Sequence, residues 1–283
     1  MSKKLIGLVV LGLLAAGLLF SFTGFSGFDI LPKAIENFSQ TNKRNQDQKE
    51  RIISHFAVLS DTHSDTANTK KAVQKAKDLG ADYMILLGDL TTVGTIKELT
   101  EQKKILDSSG LFYKTAIGDH DLWQSGKENF IKVFGPTYES FDRNGIHHVL
   151  LDTSDTNIGV GKEQLNWLKN DLIKNKDKPI LVFMQLSLYH PTNPRTIWEK
   201  NGVNPPIKKE AEEVIKMIGE AAVKGVFAGD HHFSSSYSEP TTGIRMRVVG
   251  AVTGDRNLQT PRFDLVSVFE DGNFEIKEIE LED

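Results

Sequence analysis

From Ile52 to residue 228, short apolar runs alternate with longer stretches in which apolar residues recur every three or four positions. Short unbroken apolar runs suit strands buried on both faces, and the longer spacing suits helices packed over them. The runs His55–Leu59, Tyr83–Leu87 and Leu111–Ile117 predict three strands, separated by predicted helices over Thr69–Leu79 and Ile96–Leu106. Strand-helix-strand order implies parallel strands with crossover helices, so the C-terminal ends of the strands face one way. Further on, Tyr138–Phe141 and His147–Leu151 predict a hairpin about the turn Arg143-Asn144-Gly145. Then come a helix over Gly161–Ile173, with Leu165, Leu168 and Leu172 on one face, and a strand over Ile180–Met184. Ile207–Ile218 predicts a helix and Gly225–Ala228 a strand. The tail alternates at period two around Tyr237, over Ile244–Val249, Phe263–Phe269 and Phe274–Ile279. Such alternation suggests antiparallel strands in a second sheet or at an edge.

The N-terminus is a different physical object. After Lys3 and Lys4, Leu5–Phe20 contains no charged residue, and the uncharged stretch runs on to Phe28. Roughly 20 apolar residues span a bilayer as a helix. No A-x-A-like cleavage site follows, so residues 1–30 are expected to be a retained membrane anchor, with a cleaved signal segment as the alternative. Residues 31–51 are polar and unpatterned and are expected to be a tether to one catalytic domain over 52–283. Lys33, Lys43 and Arg44 compete with Lys3 and Lys4 in setting orientation. Long domains translocate largely regardless of such charges, so the domain is expected outside the cytoplasm, and secreted if the segment is cleaved.

Composition narrows the chemistry. A net charge of -4 gives no electrostatic case for a nucleic-acid partner. The chain has no cysteine, which excludes disulfides and thiolate ligands, so any metal must be held by oxygen or imidazole donors. Four clusters offer such donors: Asp61-Thr62-His63, Gly88-Asp89, Gly118-Asp119-His120-Asp121 and Gly229-Asp230-His231-His232. Each begins where a predicted strand stops, which is where an open α/β sheet gathers a site. A lone D-x-H or G-D is an ordinary turn, and the third cluster alone reads equally as a solvated loop. Endings of this kind on successive parallel strands point to a site assembled from several loops.

The order of these blocks resembles the calcineurin-like metallophosphoesterase family, whose pattern runs D-x-H, G-D, G-N-H-D/E, a His after a later strand, and G-H-x-H. Tyr138–Ser154 with Gln164-Leu165-Asn166-Trp167-Leu168 is similar to that family's hairpin and following helix, and the likeness covers about residues 55–270. It implies an α/β fold, a four-layer α/β/β/α sandwich of two mixed sheets flanked by helices. It also implies in-line attack on the phosphorus of a phosphate ester by a hydroxide held on two metal ions. By the same resemblance Asp61, His63, Asp89 and His232 would hold the first metal. His120 would face the leaving-group oxygen, and Asp121 would hold the other ring nitrogen of His120, with a loop-capping carboxylate as the alternative for Asp121.

The departures fall on the second metal. Where the family has Asn, His and His, this chain has Asp119, Gln185 and Asp230. Oxygen donors favour hard ions, so Mn or Mg is expected, with Fe, Ca or Zn also possible. Two extra carboxylates would weaken attraction for a phosphate dianion, so a preference for phosphodiesters is expected. The alternative is a binding or regulatory protein of the same fold that keeps only one metal. His231 is expected near the substrate or behind the ligands, with a swap of roles with Asp230 as the alternative. His190 is expected at the rim. Trp167 is expected in the core, and His147 and His148 on opposite faces of a strand. Trp198, in the polar stretch Pro191–Pro206, is expected at the surface or along a substrate groove.

Overall fold

The computed structural model describes residues 51 to 281. Eleven strands and five helices appear in the order β1 (Ile52–Leu59), α1 (Thr66–Asp78), β2 (Tyr83–Leu86), α2 (Ile96–Ser108), β3 (Phe112–Thr115), α3 (Gly126–Phe134), β4 (Glu139–Arg143), β5 (Ile146–Leu150), α4 (Gly161–Lys174), β6 (Ile180–Phe183), α5 (Pro205–Glu220), β7 (Gly225–Ala228), β8 (Ser235–Ser238), β9 (Arg245–Val248), β10 (Arg262–Phe269) and β11 (Phe274–Glu280). The first sheet runs β11-β10-β1-β2-β3 and the second β4-β5-β6-β7-β9-β8. β1, β2 and β3 are parallel, as are β5, β6, β7 and β9.

Alternation along the strands builds the layers. On β1, Ala57 and Leu59 join a cluster with Ala72, Val73 and Ala76 of α1 and Leu99 and Leu106 of α2. The intervening Phe56 and Val58 face the other way, against Phe183 and Phe227 of the second sheet. On the far side, Val182 and Val226 pack with Leu168 of α4 and Val214 and Ile218 of α5. Helix, sheet, sheet and helix therefore form the expected four layers. The aromatic seam between the sheets is fully buried, with Phe56 stacked on Tyr83 at 4.8 Å and Phe183 on Phe227 at 5.1 Å. Complete burial of such a side chain contributes about 1.5–3 kcal/mol, so this seam is a main source of the alignment of the two sheets.

The tail takes the edge alternative, with one difference in strand direction. β10 lies antiparallel to β1 and carries β11 at the edge of the first sheet. β8 is an edge of the second sheet, and β9 runs parallel to β7. Period-two alternation reports which faces are buried and carries no information on strand direction. α3, whose left-handed entry at Ser125 has no side-chain cap, was also absent from the sequence reading. Among the described residues no helix is long and apolar enough to cross a membrane. The expected anchor over residues 1–30 lies outside the described residues, as does its tether up to residue 50.

Candidate metal centre

The loops leaving β1, β2, β3, β6 and β7 meet at one end of the paired sheets. Six residues there that are not glycine hold left-handed backbone: Asp61 (φ 53°), His63 (φ 42°), Ser64 (φ 60°), Asp89 (φ 48°), Asp230 (φ 68°) and His232 (φ 53°). Such conformations cost energy and persist where the surroundings over-determine them. Here the chain turns sharply off each strand and the turns interlock: Asp61 N–H donates to the Gly88 carbonyl, His63 N–H to that of Asp89 and Ser64 N–H to that of Leu90. Gly118 makes room for the meeting, because a Cβ there would strike the Asp89 carboxylate.

Half of the centre is a converging set of four donors. His63 Nε2 lies 3.0 Å from His232 Nε2 and 3.6 Å from an Asp89 oxygen, while His232 Nε2 is 3.5 Å from Asp61 Oδ1. Gln185 Nε2 and the Ser60 hydroxyl fix the Asp61 carboxylate by donating to it at 2.8 and 2.6 Å. The other ring nitrogen of His63 is buried without a partner. Burial pulls the His63 pKa down to about 4, so the ring is neutral with a lone pair to offer. Burial, and then the charges of Asp119, Asp61, Asp121 and Asp230, push the Asp89 carboxyl well above the usual range. A carboxylate crowded by four others calls for a cation, and two imidazoles with two carboxylates around one point fit a divalent ion.

The other half already contains cations. Asp119, Asp230 and Asp89 bring oxygens within 4.8 Å of one another, as the sequence led one to expect. Between them lies the ammonium of Lys200, donating to Asp119 Oδ2 at 2.7 Å and to Asp230 Oδ1 at 2.6 Å. Arg195 grips Asp230 in a two-pronged pair, Nε to Oδ2 at 3.0 Å and a terminal nitrogen to Oδ1 at 2.8 Å. Burial alone would lower the Lys200 pKa, but Asp230 and Asp119 outweigh it and hold it above the ordinary lysine value. Two oxygens of the expected second set stay unpartnered, Asp119 Oδ1 and Gln185 Oε1. Gln185 donates its amide N–H to Asp61, and its Oε1, the atom expected to ligate, is unpartnered and packed against Gly88 and Gly229, where an added Cβ would strike it. The first donor set fits a metal ion. The second, with its carboxylates engaged by an ammonium and a guanidinium, does not fit a second dication.

His120 stands beside the first set, its ring edge-on to His63 at 4.6 Å and stacked on the half-exposed Trp123 at 4.8 Å. The expected contact between Asp121 and His120 is absent. His120 Nδ1 is paired with the Thr92 carbonyl at 2.9 Å, and the Asp121 carboxylate turns inward to accept from the N–H groups of Leu90, Thr91 and Gly118 and from the Thr91 hydroxyl. Asp121 therefore clamps the loops after β2 and β3. Burial, opposed by these hydrogen bonds, pushes its pKa up to about 6. Glu98, in the capping box of α2, accepts from Ser64 and from the Thr92 N–H, so the helix start holds the loop that carries His120's partner.

His231 points away from the ligands, with Nε2 against the Arg195 carbonyl at 2.9 Å. His190 stays at the rim, accepting from the Thr192 and Asn193 N–H groups. Trp198 lines a cavity of about 850 Å³ with Tyr189 and Lys208. His147 and His148 do face opposite ways, one between two carboxylates and the other between the sheets. The residues that sequence reasoning missed are Lys200 and Arg195. Their signal was available as a matched count: two carboxylates gained at ligand positions, and two cations in the segment after β6.

A model of the calcineurin-like phosphoesterase superfamily domain matches residues 55–271. No curated protein matches the chain in sequence. Among solved structures, a dimetal phosphatase from Danio rerio aligns at TM-score 0.65 and 14% identity, covering 82% of this chain and 98% of that one. Purple acid phosphatase from yellow lupin (Lupinus luteus) seeds aligns at TM-score 0.60 and 12% identity over 81% of this chain and 51% of that one. GAP50, the anchor in the inner membrane complex of Plasmodium, aligns at 0.58 and 14% over 81% and 85%. With the ligand blocks brought together as described and the family model spanning most of the chain, the protein belongs to the calcineurin-like phosphoesterase superfamily and is a metal-dependent phosphoester hydrolase.

Proposed function

We propose that this protein hydrolyses phosphate esters outside the cytoplasm while tethered to a membrane, using a Mn ion held by Asp61, His63, Asp89 and His232. The convergence of these four side chains beside His120 carries the proposal. Their mixed nitrogen and oxygen donors suit Mn or Fe better than Mg or Ca. An ion bound there would supply Lewis acidity toward a phosphoryl oxygen and toward the attacking water. The chain's own residues do the rest. His120 Nδ1–H donates to the Thr92 carbonyl, so Nε2 carries a proton only in the imidazolium form. In that form His120 gives its proton to the departing oxygen. Trp123 covers one face of the ring and presents an apolar surface to the leaving group. Arg195 and Lys200 offset the charges of Asp230 and Asp119, which removes the electrostatic basis for the expected phosphodiester preference. The tether rests on the uncharged Leu5–Phe20 segment.

The full-length chain is expected to sediment with membranes, to leave them only in detergent, and to turn over an aryl phosphate ester when supplied with Mn. His120→Asn should lower kcat about 10²–10⁴-fold with Mn uptake unchanged. Equal turnover by His120→Asn would remove the proton-transfer role, and activity found wholly in the soluble fraction would remove the tether.

A further inference from the structure

The second-metal half of this centre departs from its family in two ways that cancel. Asp119 and Asp230 stand where neutral amide and imidazole ligands would, adding two negative charges. Lys200 and Arg195 then bring two positive charges to the same carboxylates. We propose that the Lys200 ammonium, steadied through Asp230 by Arg195, is the resident second cation of this centre, so that the hydrolase works with one metal ion and one built-in ammonium. The inference rests on the proposed function in taking the first half as the metal-holding half.

The placement of Lys200 is built into the fold. Its side chain is only 11% exposed and Asp230 is 1% exposed. The segment between β6 and α5 is stitched down at each end of the pair. Ile197 N–H donates to the Ser187 carbonyl at 3.0 Å, Trp198 Nε1 to that of Leu188 at 3.0 Å and Lys200 N–H to that of Thr196 at 3.0 Å. Ile197 is fully buried, and His231, the spare histidine of the last ligand block, is spent on the Arg195 carbonyl. A long, loosely held surface lysine would reach an acidic cluster in many geometries; this one is delivered by a packed segment. Asp230 has both oxygens engaged, which leaves Asp119 Oδ1, Gln185 Oε1 and the Asp89 carboxylate, shared with the first half, as the remaining donors. A dication among them would sit beside the ammonium with too little negative charge to offset the repulsion. An ammonium has three N–H donors, of which two are on carboxylates, so one remains for a phosphoryl oxygen. Lys200 and Arg195 together thus supply the two positive charges of a second dication, and no chelator can remove them.

The test is metal count and spectroscopy on the full-length chain. After saturation with Mn and removal of excess, the protein is expected to retain one Mn per chain, with the EPR spectrum of an isolated Mn(II) ion. Lys200→Met, checked for folding by circular dichroism, is expected to retain twice as much Mn and to show a spin-coupled spectrum. Two coupled ions in the unaltered chain overturn the assignment whatever the variant does, and a folded Lys200→Met that stays at one ion overturns it too. Turnover of an aryl phosphate ester in the same samples reports separately on the proposed function. One ion without turnover removes the hydrolase mechanism and leaves the Lys200 assignment standing, whereas two ions with turnover do the reverse.

Discussion

The two halves of the centre lie a few ångströms apart, share Asp89, and have been solved in opposite ways. Around Asp61, His63 and His232 the protein supplies imidazole and carboxylate donors, no Lys or Arg among the described residues pairs with Asp61 or Asp89, and the crowding of Asp89 by other carboxylates is left for an ion to relieve. Around Asp119 and Asp230 it supplies more negative charge and then neutralises that charge internally with Lys200 and Arg195. Counting carboxylates would rate the second half as the stronger cation site. The comparison teaches that the donor set alone does not decide whether a metal binds; what the next segment of chain delivers into it decides.

The largest effect that could break this contrast is in the first half. Mn at about 100 times its Kd should stabilise the fold by about 2.7 kcal/mol and raise Tm by roughly 5–10 °C. In His232→Ala both that shift and Mn-dependent turnover should vanish; a shift of unchanged size would place the ion elsewhere. A smaller effect belongs to the second half. Asp230→Asn leaves Arg195 and Lys200 with one carboxylate fewer, and is expected to cost about 1–3 kcal/mol in urea unfolding, with Mn uptake in the first half retained. A neutral result there would show that the pairing contributes nothing and that the halves are not charge-matched.

The smallest effect lies outside the centre, where two adjacent residues repeat the contrast. His148 sits between the sheets against Tyr83, Phe141 and Phe183, and burial pulls its pKa down to about 3. His147 is placed between Asp142 and Asp171 at 2.7 Å from each. Burial lowers its pKa, but the hydrogen bonds to Asp171 and Asp142 outweigh this and raise it above 6.5. The signs are opposite. His147 contributes stability that is complete below its unfolded pKa of 6.5 and is lost as pH rises through the folded value. His148 contributes stability present above 6.5 and lost as pH falls toward about 3. His147→Gln should therefore flatten the alkaline decline in Tm, an effect of about 1 kcal/mol because Asp142 is half exposed, and leave the acid decline in place. An unchanged alkaline decline in that variant would dismiss the ion pair.

Much of this architecture was readable in advance. β6 and β7 were placed to within a residue because an apolar run bounded by polar or glycine positions has few other uses. The ligand clusters could be found because they sit directly after such runs. Asp121 stayed open between two readings for an equally physical reason: a carboxylate next to a catalytic-type histidine serves either the ring or the backbone around it. Three N–H groups and a hydroxyl from two loops made the choice. β9 was given its period and an antiparallel direction, which holds for its pairing with β8 and fails for its parallel pairing with β7.

Local pattern along the chain therefore determined which segments become strands, which faces they bury, and that Asp61, His63, Asp89 and His232 end up at one edge, because hydrophobic periodicity and strand ends are properties of neighbouring residues. Only the tertiary structure decided the partners of Asp119 and Asp230. Lys200 lies 81 residues from one and 30 from the other, and no spacing rule relates them. Their meeting depends on how the segment between β6 and α5 packs over the sheet edge, and charge pairing of that kind is set by distance in space.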